Sequence, residues 1–432
     1  MSLRISRELL DTLKELSDEN QQLFRKSSTS DTDIMVLLLE ILRYLGLAKV
    51  SLEKDGTLNY EPTKEHAPLI LTDESHENTN PSMGEFLQKV DLVVTEKMDM
   101  FDFETYLAES FFDQGRLEET IVTLEMLEKV YMKNTSSRML GRFERLVGAI
   151  HFLKGQIAEA KSHFERSKTL CEDTGDTEGL AFAYLALANL EGNKNNIQEA
   201  EVLYDRAYVL FREVESEKGM AKVKANLSYL YSRNGMLKES TRLAFESIQI
   251  LTRLKDINTL QYAFLNRSVL LASHGDYRET FENVNNAYYM SQQTSNSRVL
   301  HLSSLQEIEM DIITKRRKIP LEAIERSINF FKENELTQDL ILAYCVLTEY
   351  YITKGEAQKV IESAHLMIGT SLSIEDYAGL VAAGARIMRA SIIFMLDDDT
   401  IKSIHKMVRK GLLDKRFSNM YMGLVTPFYP YN

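Results

Sequence analysis

AIHFLKGQIAEAKSHFERS at residues 149–167 and NLSYLYSRNGMLKESTRLAFES at 226–247 are written to one pattern, and that pattern decides the fold. Gly155 and Gly235 are each preceded seven residues earlier by a small residue (Gly148, Ser228). Five and twelve residues later come two more (Ala160 and Ser167; Ser240 and Ser247). Working outward, turn-forming residues recur every forty positions at Gly115, Gly155, Asn195, Gly235 and Gly275. The small series extends as Ala108, Ala188 and Ser268 before the turn, Thr120, Ala200 and Thr280 after it, then Leu127, Ala207 and Ala287. Nine past each turn stand Leu124, Phe164, Tyr204, Ala244 and Val284. Small residues on facing helices let backbones approach closely, and a bulky residue between them fills the gap. A fixed interval means one supersecondary unit copied in tandem, so each unit reads as a helical hairpin.

This order of small, aromatic, glycine, alanine, aromatic, alanine resembles the tetratricopeptide repeat. The period departs from the usual length of about 34 residues, and the proline that often closes a repeat is missing. Prolines stand only at 62, 68, 81, 320, 427 and 430, so helices between 82 and 319 can run long. Long-period arrays of this kind are similar to those of the Pins/LGN scaffolds, kinesin light chains and the bacterial Rap and MalT sensors; CEDTGDTEGLAFAYLALANL at 171–190 is in that style. A HEAT or armadillo solenoid is the rival by unit length, while the small-residue register favours the tetratricopeptide reading. The expected fold is all-α: a right-handed solenoid of about eight hairpins behind a small α/β domain.

Composition fits a solenoid, which buries its core between neighbours and grows past the size one compact core can serve. The 432 residues are 44% hydrophobic, and apolar runs such as IMVLLLEIL at 34–42 fall short of a membrane span. MSLRISRELLDTLKELSDEN at 1–20 alternates charge with leucine and lacks the uninterrupted apolar stretch of a secretion signal, so none is expected. Two cysteines, Cys171 and Cys345, make no disulfide framework, so a reducing, cytoplasmic setting is expected. Sequons at Asn134, Asn226 and Asn266 read as chance matches, the last two lying inside repeat helices. A net charge of 51 − 64 = −13 disfavours nucleic acid, and no membrane partner is expected. KRRK at 315–318 is a local exception, read as a solvated loop against the alternative of an import or anion-docking patch.

Along the chain, residues 1–26 read as one amphipathic helix and 31–46 as a second, stopped at Gly46. Asp55-Gly56 inside AKVSLEKDGTLNYEPT (48–63) signals a β-hairpin. Helix, stop and two-stranded wing resemble a winged-helix domain over 1–63. A DNA-reading helix needs several basic residues, and Arg43 alone opposes Asp31, Asp33 and Glu40, so the wing is read as structural or dimerising. A linker follows at 64–86, then the solenoid over 87–412, with a lead helix near 87–99. Repeat six is degenerate, with Lys318 read at the glycine position and Pro320 opening its second helix. Repeat seven recovers Thr348, Gly355 and Ala364; an eighth hairpin begins at 378 and turns at Asp397–Asp399. The aromatic tail at 413–432 reads as a cap, or as a motif offered to a partner.

Chemistry is sparse. The eight histidines show no zinc-ligand spacing, the cysteines no paired motif, and no phosphate loop, dinucleotide fingerprint or nucleophile elbow occurs, so the expectation is no enzyme, no metal and no cofactor. Recognition of a protein or peptide remains. In such arrays the first helix of each hairpin lines the groove. A stripe at i, i+4, i+7 and i+11 presents Lys222, Asn226, Tyr229 and Arg233 in repeat four, Tyr262, Asn266, Val269 and Ser273 in repeat five, and Phe182, Ala186, Asn189 and Asn193 in repeat three. The resemblance implies that Asn226 and Asn266, forty apart, bind a ligand backbone with their paired amide donor and acceptor. Arg142 and Arg145 add positive charge for an acidic segment. The expected function is a scaffold with a possible homodimer through the N-terminal domain; the alternatives are a ligand-responsive regulator of the Rap or MalT type, or a subunit of a larger assembly.

Overall fold

The computed structural model describes residues 3–5, 39, 40, 42–44, 48–52, 58–62, 99–131, 139–194, 196–316, 319–374 and 376–394. It divides into two compact units, Met1–Leu146 and Val147–Asn432.

In the first unit, β2 (Ala48–Leu52) and β3 (Leu58–Pro62) pair antiparallel with Leu52 opposite Leu58, the hairpin that Asp55-Gly56 signals. Residues 1–26 are not one helix: Leu3–Ile5 form β1, parallel to β3 with Ile5 opposite Tyr60. Three residues alternating Leu, Arg, Ile satisfy a strand period as well as a helical one, and the open edge of β3 supplies the hydrogen bonds that decide. Two helices of the first repeat follow, α1 (Met100–Gln114) and α2 (Leu117–Met126), the second running into a π-helical turn at Leu127–Tyr131. Arg116 donates to the carbonyls of Tyr44 and Arg43 at 2.7 and 2.8 Å, and its guanidinium lies 4.4 Å from the Phe111 ring centre. Arg43 is fully buried between Glu40 and Glu104, at 2.7 and 2.9 Å. A short helical stretch near residue 40 is thereby fastened to the first repeat by buried charge.

The helix α3 (Leu140–Leu153) runs across the boundary into the second unit, where it pairs with α4 (Ile157–Thr174). Then come α5 (Thr177–Asn193) with α6 (Ile197–Glu213), α7 (Glu217–Arg233) with α8 (Leu237–Arg253), and α9 (Ile257–Ser273) with α10 (Tyr277–Gln293). The helices α11 (Ser297–Thr314) and α12 (Leu321–Glu333) make repeat six, α13 (Thr337–Lys354) and α14 (Ala357–Ser373) repeat seven, and α15 (Tyr377–Phe394) opens repeat eight. The small-residue series is buried throughout, and its chemistry closes the hairpins. In repeat four the Ser228 hydroxyl donates to the Ser240 carbonyl at 2.9 Å, and Ser240 returns the bond to Ser228 at 2.8 Å. In repeat two a Cβ on Gly148 would meet the Phe164 ring at 2.7 Å, so only glycine fits. Phe164, Leu185, Tyr204, Phe211 and Leu230 belong to one apolar cluster across three repeats, the continuous core a solenoid requires.

Two periodic features complete the unit. Gly155, Gly235 and Gly355 end their first helices at φ of 78°, 74° and 74°, and the same place in repeat six is taken by Lys315 at 52°, not by Lys318. The forty-residue count from Gly275 falls on 315; the KRRK run shifted the sequence reading by three. Between repeats, Glu215, Lys255, Ser295 and Glu335 adopt φ of 54–55°. The residue after each of the first three caps the next helix: Ser216, Asp256 and Asn296 accept from the backbone N–H groups of Gly219, Thr259 and Val299 at 3.3, 2.9 and 3.1 Å. The linker at 64–86, the lead helix at 87–98, the second helix of repeat eight and the tail at 413–432 lie outside the described residues.

Candidate functional site

First helices of successive repeats pack directly on one another in the second unit, and second helices pack chiefly against first helices. Arg386 on α15 reaches Glu309 on α11 at 3.1 Å, skipping a whole repeat. Such a contact requires the first helices to converge, which makes theirs the concave side.

On that side two of the amides bond each other. Asn226 donates from Nδ2 to Asn189 Oδ1 at 2.9 Å, and the Tyr204 hydroxyl donates to the same oxygen at 2.7 Å. Burial pushes the Tyr204 phenol above its ordinary range, so it remains a donor. Two donors on one oxygen fix which way the Asn189 amide faces. The Asn189 amino group and the Asn226 carbonyl oxygen have no hydrogen-bond partner among the described residues, and neither does either end of the Asn266 amide. All three asparagines are half-buried. Around them, Lys222 lies 5.4 Å from the Phe182 ring centre. Tyr262 accepts from Asn296 Nδ2 at 3.2 Å and lies 5.9 Å from the Arg298 guanidinium, which grips Asp339 with bonds of 2.6 and 2.9 Å.

Four of the sequence-picked residues are placed differently from these amides. Asn193 donates to Gln338 at 3.1 Å, and Arg233, 5.5 Å from the Tyr229 ring centre, pairs with Asp376 at 3.7 Å; both stand at the rim. Arg142 and Arg145 lie in the first unit, where both pair with Glu109. Sequence reading missed Tyr204 as a support, though its bulky position nine past a turn was visible. It also missed Gln306, forty residues beyond Asn266, whose Oε1 accepts from Ser268. Toward the C-terminal end, Glu309 and Glu349 clasp Arg386 at 3.1 Å each, and Arg389 pairs with Glu349 at 3.0 Å. Burial raises the Glu309 carboxyl above its usual range. Among the described residues no group of His, Cys, Asp or Glu could hold a metal ion, and no helix is long and apolar enough to cross a membrane.

Residues 140–213 match the tetratricopeptide repeat family model. No curated protein matches the sequence. Among solved structures, a Rap protein complexed with competence and sporulation factor superposes at a TM-score of 0.59 with 12% identity, covering 78% of this chain and 94% of that one. The Rap conjugation gene regulator of plasmid pLS20, in complex with the Phr* peptide, superposes at 0.50 with 13% identity, covering 89% and 96%. At such identities the likeness is one of fold. The helical array is of the tetratricopeptide-repeat type, and its fold is that of the two Rap structures.

Proposed function

We propose that this chain binds a peptide or an extended segment of a partner protein along its concave face, with Asn189, Asn226 and Asn266 bonding the ligand backbone. The observation that carries the reading is the fixed amide pair: Tyr204 and Asn226 saturate one oxygen of Asn189, leaving an oriented donor and acceptor open on neighbouring helices. A peptide backbone offers the complementary pair at each residue. Lys222 and the ring faces of Tyr229 and Tyr262 supply charge and surface for side chains, and Asn193 and Arg233 frame the rim. That one structural neighbour of the same fold is in complex with a peptide supports the ligand class. The role is that of a scaffold, with residues 1–63 as a winged, dimerising domain; the contacts described below favour a ligand-responsive regulator as the second reading. The test is affinity for peptides selected from a random library on the full chain. Asn226→Ala with Asn266→Ala is expected to weaken binding by more than about 1 kcal/mol, since a net ligand hydrogen bond contributes about that much, while stability falls by no more than about 1 kcal/mol through loss of the Asn226–Asn189 bond. Undiminished affinity in the double variant removes these asparagines from the site.

A further inference from the structure

The array meets its own edge. Lys154, at the end of the first helix of repeat two, bonds Glu335 in the loop before repeat seven at 2.6 Å. Asn193 of repeat three bonds Gln338 of repeat seven, and Arg233 of repeat four pairs with Asp376 at the head of repeat eight. Beside them a Cβ on Gly155 would lie 2.2 Å from Ile374 and 3.4 Å from Thr337, so the turn of repeat two is in close contact with two later loops. These contacts all join the turn edge of repeats two to four to the loop edge of repeats seven and eight, and all lie within the second unit. They close one turn of the superhelix around the concave face.

We propose that this seam is a clasp gating the peptide groove: closed, it encircles the bound segment, and its opening admits or releases it. The proposal rests on the groove reading above. Its physical basis is the composition of the seam. A permanent closure would be built from extensive buried apolar surface, whereas the seam contacts among the described residues are three polar pairs beside the approach of Ile374 to Gly155, with Leu336 buried in the same loop. Glu335 is 64% exposed, and ion pairs at such positions are individually weak and screened by salt. Lys154 holds the Glu335 carboxyl below its usual range, so the pair is charged at neutral pH. The two rim residues that sequence spacing assigned to ligand contact, Asn193 and Arg233, are occupied in the clasp, which couples its state to the groove helices α5 and α7. Opening needs only loop and rim contacts to part, without unpacking the helix core.

The experiment uses the full chain and a library-selected peptide whose affinity depends on Asn226 and Asn266. Lys154→Glu sets two like charges face to face. It should raise the peptide association rate at least threefold and increase the radius of gyration in solution scattering. Combining it with Glu335→Lys restores the pair and should return both quantities to the parent values. Raising sodium chloride from about 0.05 M to about 0.5 M should speed association more in the parent chain than in Lys154→Glu, where only the Arg233–Asp376 pair remains to be screened. An unchanged association rate in Lys154→Glu, with binding intact, overturns the gate while leaving the groove standing. If no library peptide binds either the parent or Lys154→Glu, the groove reading fails and the gate with it. Glu335 is exposed and Lys154 lies just past a helix end, half-buried, so circular dichroism should show both variants folded as the parent is.

Discussion

Two helical glycines should respond to alanine with opposite signs. Gly219 is the third residue of α7, and a Cβ there would lie 2.1 Å from Cδ1 of Phe211 on the preceding helix. Phe211 is fully buried and packs edge-on against Phe182, ring centres 4.8 Å apart, so its ring has nowhere to retreat. Gly219→Ala gains about 0.5–1 kcal/mol of helix propensity. It also forces a methyl into a filled core, which costs about 1–3 kcal/mol. The net expectation is a loss of about 1–2 kcal/mol. Gly369 lies inside α14 with nothing within 4 Å of its would-be Cβ, so Gly369→Ala keeps the gain and pays no clash. Urea unfolding followed by helical circular dichroism measures both, with Phe211→Leu combined with Gly219→Ala expected to recover part of the loss. Equal stabilisation by the two alanines would refute the close approach of repeats three and four.

The carboxyl of Glu104 is pushed up to about 8 by burial and by Glu40, against the pull of Arg43. A raised carboxyl binds its proton more tightly when folded, so stability from this group is full below about 4.5 and is lost as pH rises toward 8. The first unit should therefore unfold more readily at pH 8 than at pH 6, and Glu104→Gln should flatten that slope in a thermal melt. Arg386→Met leaves Glu309 uncompensated among buried groups and should cost about 3–5 kcal/mol. Arg242→Ala removes a pair whose arginine is 64% exposed, and should cost no more than about 0.5 kcal/mol by denaturant titration.

Much of the repeat array was legible because its constraint is local and periodic. A turn every forty residues and small residues at fixed offsets permit few other packings, and Ala188, Ser228 and Ala200 are buried as that register demands. Where another signal competed, the register was misread. The basic run drew attention to Lys318, although a lysine can adopt the left-handed turn at modest strain and Lys315 does so. The strand at Leu3–Ile5 was hidden because three residues cannot establish a period, and its partner lies more than fifty residues away. At the site, spacing placed Asn189 and Asn226 on neighbouring rungs but could not reveal that they bond each other, nor that Tyr204 holds them from the second helix. Asn193 and Arg233 were read as groove residues because periodicity reports a helix face. It carries no information on what an edge meets a full superhelical turn later.

The most direct measurement of the account is hydrogen–deuterium exchange on the full chain, with and without a library-selected peptide. Binding on the concave side predicts slowed exchange in the first helices Thr177–Asn193, Glu217–Arg233 and Ile257–Ser273, with the second helices Ile197–Glu213 and Leu237–Arg253 little changed. Protection centred on those second helices instead, or confined to the first 146 residues, would contradict it.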